Sequence, residues 1–388
     1  MRAVAEGRLE NTSEAFRTHI DRCLGCRACE QVCPAGVEYG QLLEHSREEL
    51  LRAQPKNDLT DKALRFALRH LWSSPARLRL FFGAARLFRN LGFSRLLLKS
   101  RLFPRRAEFA LALLENSRPI FPARKKTTSA VQSERPSPSV SLFMGCVGEG
   151  LFARVNRATE RVLRANGFDV EAPPEQVCCG ALHAHAGDLE GARELAKRNI
   201  AAFNSGSPVV TNAGGCGAML ATYGHLFAND ADFADAATNF STRVRDVSQQ
   251  LQTLGPQSVS NSATRQCVTY DTSCHLLYGQ HAGDASQQML RSAVGPDFVP
   301  LEGTERCCGA AGIYNLLQPE LSGRVLQEKL DHVRDTGAEI LATGNPGCQM
   351  QIGAGAQLAG MKLQVCHPIE LVDEAYAQAG VYADTDVR

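Results

Sequence analysis

The chain has 388 residues, 44% of them hydrophobic, and its 42 Lys and Arg nearly cancel its 41 Asp and Glu, leaving a formal charge of +1. That length accommodates two or three domains with substantial cores, while the balanced charge, single Trp and 6% aromatic content exclude a basic, base-stacking nucleic-acid surface. The fourteen cysteines do not suggest a disulfide framework, which suits small secreted domains. The opening MRAVAEGRLENTSEAF has no apolar signal core, and no uncharged stretch approaches the roughly 20 apolar residues that span a bilayer. The cysteines are therefore expected to be metal ligands in a reducing cytoplasm.

Residues 22–36 read RCLGCRACEQVCPAG. Cys23, Cys26, Cys29 and Cys33 have the C-x2-C-x2-C-x3-C-P spacing that holds a [4Fe-4S] cluster, and in two-cluster ferredoxins the fourth cysteine of such a run serves the other cluster. Zinc sites more often use two separated cysteine hairpins. Residues 1–50 are thus expected to be a partial ferredoxin-like segment ending in a helical pattern, EYGQLLEHSREELLRA. Residues 51–117 read as a basic helical region. From 60 to 106 Asp61 is the sole acidic residue, against about a dozen Lys and Arg. Arg65, Arg69, Arg77, Arg79, Arg86, Arg89, Arg95, Lys99 and Arg101 interleave there with Leu and Phe. Such a pattern can lie on an anionic membrane or dock a partner, and it equally suits a helical subdomain with a solvated basic face. A Pro/Ser/Lys-rich linker follows over 118–139.

Two copies of one unit follow, over 140–254 and 267–380, separated by GPQSVSNSATRQ. The first carries Cys146, Cys178, Cys179 and Cys216, the second Cys274, Cys307, Cys308 and Cys348, at an offset of about 130 residues that denotes duplicated domains. In each, an apolar run delivers the first cysteine, an extended segment leads into Cys-Cys-Gly, an amphipathic helix follows, and another apolar run delivers the last cysteine. This alternation predicts a parallel α/β sheet in each copy, with cysteines where strands end and loops begin. Adjacent cysteines fit poorly on one tetrahedral ion but could ligate different irons of one cluster. Zinc and a redox-active dithiol remain alternatives. No catalytic residue is assigned, because no flavin, nicotinamide or phosphate-binding motif is visible; GAGAQLAG (353–360) follows a cysteine loop instead of a strand. His183, His185 and His275 stand beside cysteines, where they could tune a cluster or simply cap and wall the site. Cys267 and Cys366 are expected to be small buried hydrophobes, and His367 to mark a strand-to-helix turn with Pro368 at the first helical position.

The duplicated C…CCG…C framework resembles the cysteine-rich CCG domains of the heterodisulfide-reductase superfamily. That pattern ends in C-x2-C, whereas Ala213 and Asn345 occupy the first position of the pair here. The absent fifth cysteines count against disulfide-cleaving chemistry. Longer strings, VCCGALHAHAG (177–187), RCCGAAGIYNLLQPEL (306–321), ATGNPGCQMQIG (342–353) and HPIELVDEA (367–375), resemble the iron–sulfur subunits of glycolate oxidase (glycolate dehydrogenase) over nearly the whole chain. In that family two ferredoxin runs precede the CCG domains, so the missing run is expected upstream of Met1. The resemblance implies an electron-transfer subunit. A separate FAD-bearing subunit would oxidise glycolate to glyoxylate, and this chain would carry electrons toward a quinone-type acceptor. The cysteines and the absent signal core suggest a cytoplasmic location, and the basic region leaves open peripheral contact on the inner face of the membrane. Alternatives are the corresponding subunit of a lactate or glycerol-3-phosphate dehydrogenase, or a heterodisulfide-reductase-like protein.

Overall fold

The computed structural model describes residues 1–56, 58–122, 137–256 and 264–382. Most of the expected linker (123–136) and the centre of the second polar stretch (257–263) lie outside these.

The apolar runs form short parallel strands, as expected. In the first copy β1 (Ser139–Phe143), β2 (Asp169–Glu171), β3 (Val209–Thr211) and β4 (Val244–Asp246) form a sheet in the order β2-β1-β3-β4. In the second, β5 (Val268–Asp271), β6 (Ile340–Thr343) and β7 (Gln364–Cys366) run β5-β6-β7. The extended segment at 296–302, expected to match β2, contributes only a parallel bridge between Phe298 and Val268. With that bridge at the outer edge of β5, the two sheets share one topology.

Alternation along the strands assigns each face a separate core. Val140, Leu142 and Val210 from the first sheet, and Val268, Tyr270, Ile340 and Ala342 from the second, enter one common cluster. Phe143 and Val209 turn instead into a core private to the first copy, and Leu341 into one private to the second. The common core is closed by reciprocal packing. The C-terminal helix Pro368–Gln378 lies against Ala153–Ala165 of the first copy, where Arg161 makes a bidentate pair with Asp373 (2.9 and 2.7 Å) and Arg154 pairs with Glu370 at 2.6 Å. Its counterpart Val247–Gln252 lies against Gly283–Val294 of the second. Each copy thus lends its last helix to the other, and the two sheets are fixed by one continuous core.

The N-terminal segment packs on this body through its own small cluster. Phe16 and Ile20, on a helix over Glu14–Arg22 capped by Ser13, meet Leu43 and Leu50 of the helix Tyr39–Ala53. Gly187, at φ +82°, lets the first copy approach this helix so closely that a Cβ there would lie 2.6 Å from the Arg47 carbonyl oxygen. The basic region is helical over Leu59–Ala67, Pro75–Asn90, Phe93–Ser100 and Arg105–Glu115. Arg89 departs from the expected exposed face: it is buried, and its Nη1 donates to the Ser117 carbonyl at 2.8 Å.

The two copies diverge in what lies behind the cysteines. Lys329 is fully buried, its Nζ 2.8 Å from Asp271 and 2.7 Å from the Gly303 carbonyl oxygen. Burial pulls the Lys329 pKa down, but the adjacent Asp271 carboxylate outweighs it and the net shift is upward. At the matching positions the first copy has Phe143 and Asn199, the latter accepting from Val177 N (2.9 Å) and donating to the Cys178 carbonyl (3.1 Å). Removing one partner of a buried ion pair strands the other charge, at about 3–5 kcal/mol. Lys329→Asn is therefore expected to lower unfolding stability by about that amount. The double variant Lys329→Asn/Asp271→Phe, which installs the first copy's residues, should recover most of it in denaturant titrations followed by circular dichroism.

His367 caps the C-terminal helix, its Nδ1 accepting from Ile369 N at 3.1 Å, with Glu370 completing the reciprocal bond to the His367 amide. Burial pushes its pKa down to about 3. The neutral ring's contribution is therefore complete above the unfolded pKa of about 6.5 and is lost as pH falls through that value toward about 3. Replacement by Asn, which caps without titrating, is expected to flatten the acid side of the stability–pH curve relative to the unsubstituted chain.

Candidate metal centre

Every CCG-type cysteine sits just beyond the C-terminal end of a strand or on the loop beside it. β1 passes through Gly145 into Cys146, and β3 leads to Cys216 in the first turn of the helix Gly214–Ala221. β5 and β6 deliver Cys274 and Cys348 in the same way. The paired cysteines arrive on tight loops whose glycines have little freedom. Gly180 (φ +87°) faces the Ala192 backbone at 3.3 Å from an ideal Cβ, and Gly309 (φ +85°) the Ser322 carbonyl oxygen at 2.7 Å. Any side chain there would push the adjacent cysteines out of place.

The structure brings all eight of these cysteines to one cavity of about 650 Å³. Its remaining wall is largely apolar and includes Trp72 and Phe82 from the basic helical region. Within the first copy Cys146 Sγ lies 3.5 Å from Cys178 Sγ, and the thiols continue in contact from Cys178 to Cys179 to Cys216. Within the second the same series runs from Cys274 to Cys307 (4.0 Å), Cys308 and Cys348.

This crowding opposes ionisation. The Cys146 thiol is pushed up by its contact with Cys178 and by burial. Cys308 is pushed up by contact with Cys307 and Cys348, again reinforced by burial. Cys307 alone moves down, because it accepts from both Cys274 and Cys308. Four thiolates, the form that binds metal, could not share so dry a space without a compensating cation. Among the described residues, however, no three His, Cys, Asp or Glu converge to enclose one ion. That absence of a convergence point favours a polynuclear group, whereas the 3.5 and 4.0 Å sulfur separations by themselves also suit a single zinc with ligands at about 2.3 Å. One further donor is ready: the buried Nε1–H of Trp72 has no hydrogen-bond partner and is directed at Cys146, whose thiolate form it favours.

Asn345, where the superfamily pattern has a cysteine, connects the copies. Its Nδ2 donates to Cys348 Sγ at 3.3 Å, and its Oδ1 accepts from Gly215 N at 3.2 Å. Gly214 N donates to the Gly344 carbonyl oxygen at 2.9 Å beside it. Ala213, the matching residue of the first copy, is buried without a polar side chain. Sequence reasoning identified Asn345 only as a missing ligand and did not single out Trp72, Asn199 or Lys329; none belongs to a short motif.

In the N-terminal run Cys23, Cys26 and Cys29 lie within electrostatic reach of one another. Cys33 in turn lies within electrostatic reach of Cys29. The backbone N–H groups of Val37 and Ala35 stabilise its thiolate and lower its pKa. His183 does not line this cavity, its buried ring bonding instead to the Leu68 carbonyl oxygen at 3.2 Å, whereas His185 and His275 do line it. The His185 and His275 rings face each other with centroids 5.6 Å apart. Cys366 is buried as expected; Cys267 is not, being partly exposed at the start of β5.

Comparison with known proteins agrees with this arrangement. The family model of the CCG cysteine-rich domain matches residues 140–221 and 268–353. The chain is 36% identical to a probable glycolate oxidase iron–sulfur subunit of Bacillus subtilis, over 97% of this chain and 86% of that protein. It is 28% identical to the glycolate oxidase iron–sulfur subunit of Escherichia coli, over 95% and 85% respectively. A lactate utilization protein A of Oceanobacillus iheyensis is 35% identical over 60% of this chain and 96% of its own length. With duplicated CCG domains, a cysteine run ahead of them and similarity along almost its whole length, the chain belongs to the family of glycolate oxidase iron–sulfur subunits.

Proposed function

We propose that this chain is the electron-transfer subunit of a 2-hydroxy-acid oxidoreductase. It would pass electrons from an FAD-bearing subunit that oxidises glycolate to glyoxylate toward a quinone-type acceptor, and it has no substrate-oxidising site of its own. The observation that carries this reading is the cavity lined by all eight cysteines of the two matching sets, four of them buried and four partly exposed. Iron–sulfur clusters bound by the chain would supply one-electron transfer at potentials set by burial and hydrogen bonding. Cys23, Cys26, Cys29 and Cys33 are the proposed ligands of the N-terminal [4Fe-4S] site. Cys146, Cys178, Cys179 and Cys216 would hold a centre in the first CCG domain, and Cys274, Cys307, Cys308 and Cys348 one in the second. The protein's part is to exclude water, neutralise the thiolates' mutual repulsion through the metal, and present Trp72 as a donor. Glycolate is favoured over lactate because similarity to the glycolate oxidase subunit extends over 97% of the chain, against 60% for the lactate utilization protein.

The basic helices give this subunit a contact face. Leu80, Leu87 and Leu96 are 77%, 61% and 64% exposed, among exposed Arg77, Arg79, Arg95 and Lys99. Apolar side chains in a cationic surround match an anionic bilayer surface. Among the described residues no helix is long and apolar enough to cross a membrane, so the contact would be peripheral, at the cytoplasmic leaflet.

Anaerobically purified protein is expected to contain about twelve irons per chain with matching acid-labile sulfide, on the basis of about four per cubane site. Cys146→Ser combined with Cys178→Ser should remove one site's share. About four irons, all lost on replacing Cys23 and Cys26, would instead make the CCG sites zinc or thiol sites. In flotation assays the chain should bind vesicles containing phosphatidylglycerol and not phosphatidylcholine alone, with binding weakened by salt. The triple variant Leu80→Ser/Leu87→Ser/Leu96→Ser should lose it. No flotation with either vesicle would assign the face to a protein partner.

A further inference from the structure

We propose that the N-terminal cysteine run and the second CCG site form one electron-transfer unit joined through His275, so that the first CCG site exchanges electrons with the run by way of the second. This rests on the reading of the three cysteine groups as iron–sulfur sites, and adds the order in which they are connected.

The duplicated domains offer the N-terminal loop two similar docking surfaces, yet the loop engages them differently. Among the described residues, both hydrogen bonds that the CCG domains donate directly to loop 22–27 come from the second. His275 Nε2 meets the Gly25 carbonyl oxygen at 3.0 Å, and Tyr314 OH donates to the Arg22 carbonyl oxygen at 2.9 Å. His275 directly follows Cys274, and Gly25 directly precedes Cys26, so one side chain spans from a proposed ligand of one site to a proposed ligand of the other. Cys26 lies within electrostatic reach of Cys274 and Cys307. Arg27 completes the contact, its Nη1 3.5 Å from an ideal Cβ at Gly279. The first domain reaches the loop through an intermediary: Arg47 donates one nitrogen to the Cys23 carbonyl (2.8 Å) and the other to the His185 carbonyl (3.2 Å). The corresponding position after Cys146 is Val147, which carries no polar group.

Transfer between the two sites moves one electron, oxidising the donor centre and reducing the acceptor, with no bond made or broken. Its efficiency depends on short separation and a covalent or hydrogen-bonded bridge. Cys26–Gly25–His275–Cys274 supplies one, and His275 is the positioning residue that closes it.

The test uses the full chain, anaerobically loaded, with iron and sulfide counted first. In reduced protein the N-terminal cluster's electron paramagnetic resonance signal should show enhanced relaxation from a neighbouring centre. That enhancement should be lost in Cys274→Ser/Cys308→Ser and retained in Cys146→Ser/Cys178→Ser. His275→Leu should weaken it at unchanged iron content, and His275→Gln, which keeps a donor near the Nε2 position, should restore it. Full iron with the enhancement lost only in the first-domain variant would overturn the proposed order and leave the electron-transfer reading standing. Equal relaxation in His275→Leu and unsubstituted protein would overturn the bridging role. Iron confined to the N-terminal run would overturn the reading of the CCG sites, and the proposal with it.

Discussion

Holding eight thiols in one largely apolar cavity is the constraint around which this protein is built. A buried thiol resists ionisation, and neighbouring thiols raise the penalty for each further charge, as the upward shifts of Cys146, Cys179 and Cys308 record. Only a strongly cationic group can turn such a set into thiolates. The surrounding fold therefore has to hold four sulfurs per site rigidly enough that the sites do not collapse into alternative packings, while keeping water out.

The reciprocal exchange of helices meets that demand. Because Pro368–Gln378 and Val247–Gln252 each pack on the opposite copy, the faces of both sheets enter one core, and the strand ends that carry the cysteines are set relative to each other by that core. Buried charge pairs such as Arg161–Asp373 add directional contacts across the same boundary. Neither copy could retain this packing alone, since each would expose apolar residues of its sheet and helices that now lie in the common core.

Duplication gave two sites, and later divergence made them unequal. Behind the second site stands a buried Lys329–Asp271 pair, behind the first Phe143 and Asn199. Trp72 and Phe82 of the basic helices close over the first site, where Phe82 packs so tightly on Gly150 that an ideal Cβ would lie 2.3 Å away. The N-terminal loop leans on the second. Two centres with identical ligand patterns thus sit in different electrostatic surroundings, which is the means by which a protein separates the potentials of like clusters.

The strongest local signals were legible in the sequence. Cysteine spacing identified every thiol that the structure gathers, the period-2 and continuous apolar runs marked β1, β3, β5 and β6, and His367-Pro368 marked a helix start, because spacing, periodicity and capping are properties of contiguous residues. The edge strand β4 was missed, being three residues long and flanked by helices, while β7 was marked only by the strand-to-helix turn expected at His367. Arg89 turned inward and Cys267 outward against expectation, since burial depends on what packs from elsewhere in the chain. That the two cysteine sets share one cavity, that Asn345 joins the copies where a ligand was missing, and that His275 meets Gly25 across 250 residues were decided by tertiary structure alone. Each depends on the angle between two bodies, and that angle is fixed by a core whose halves lie more than a hundred residues apart.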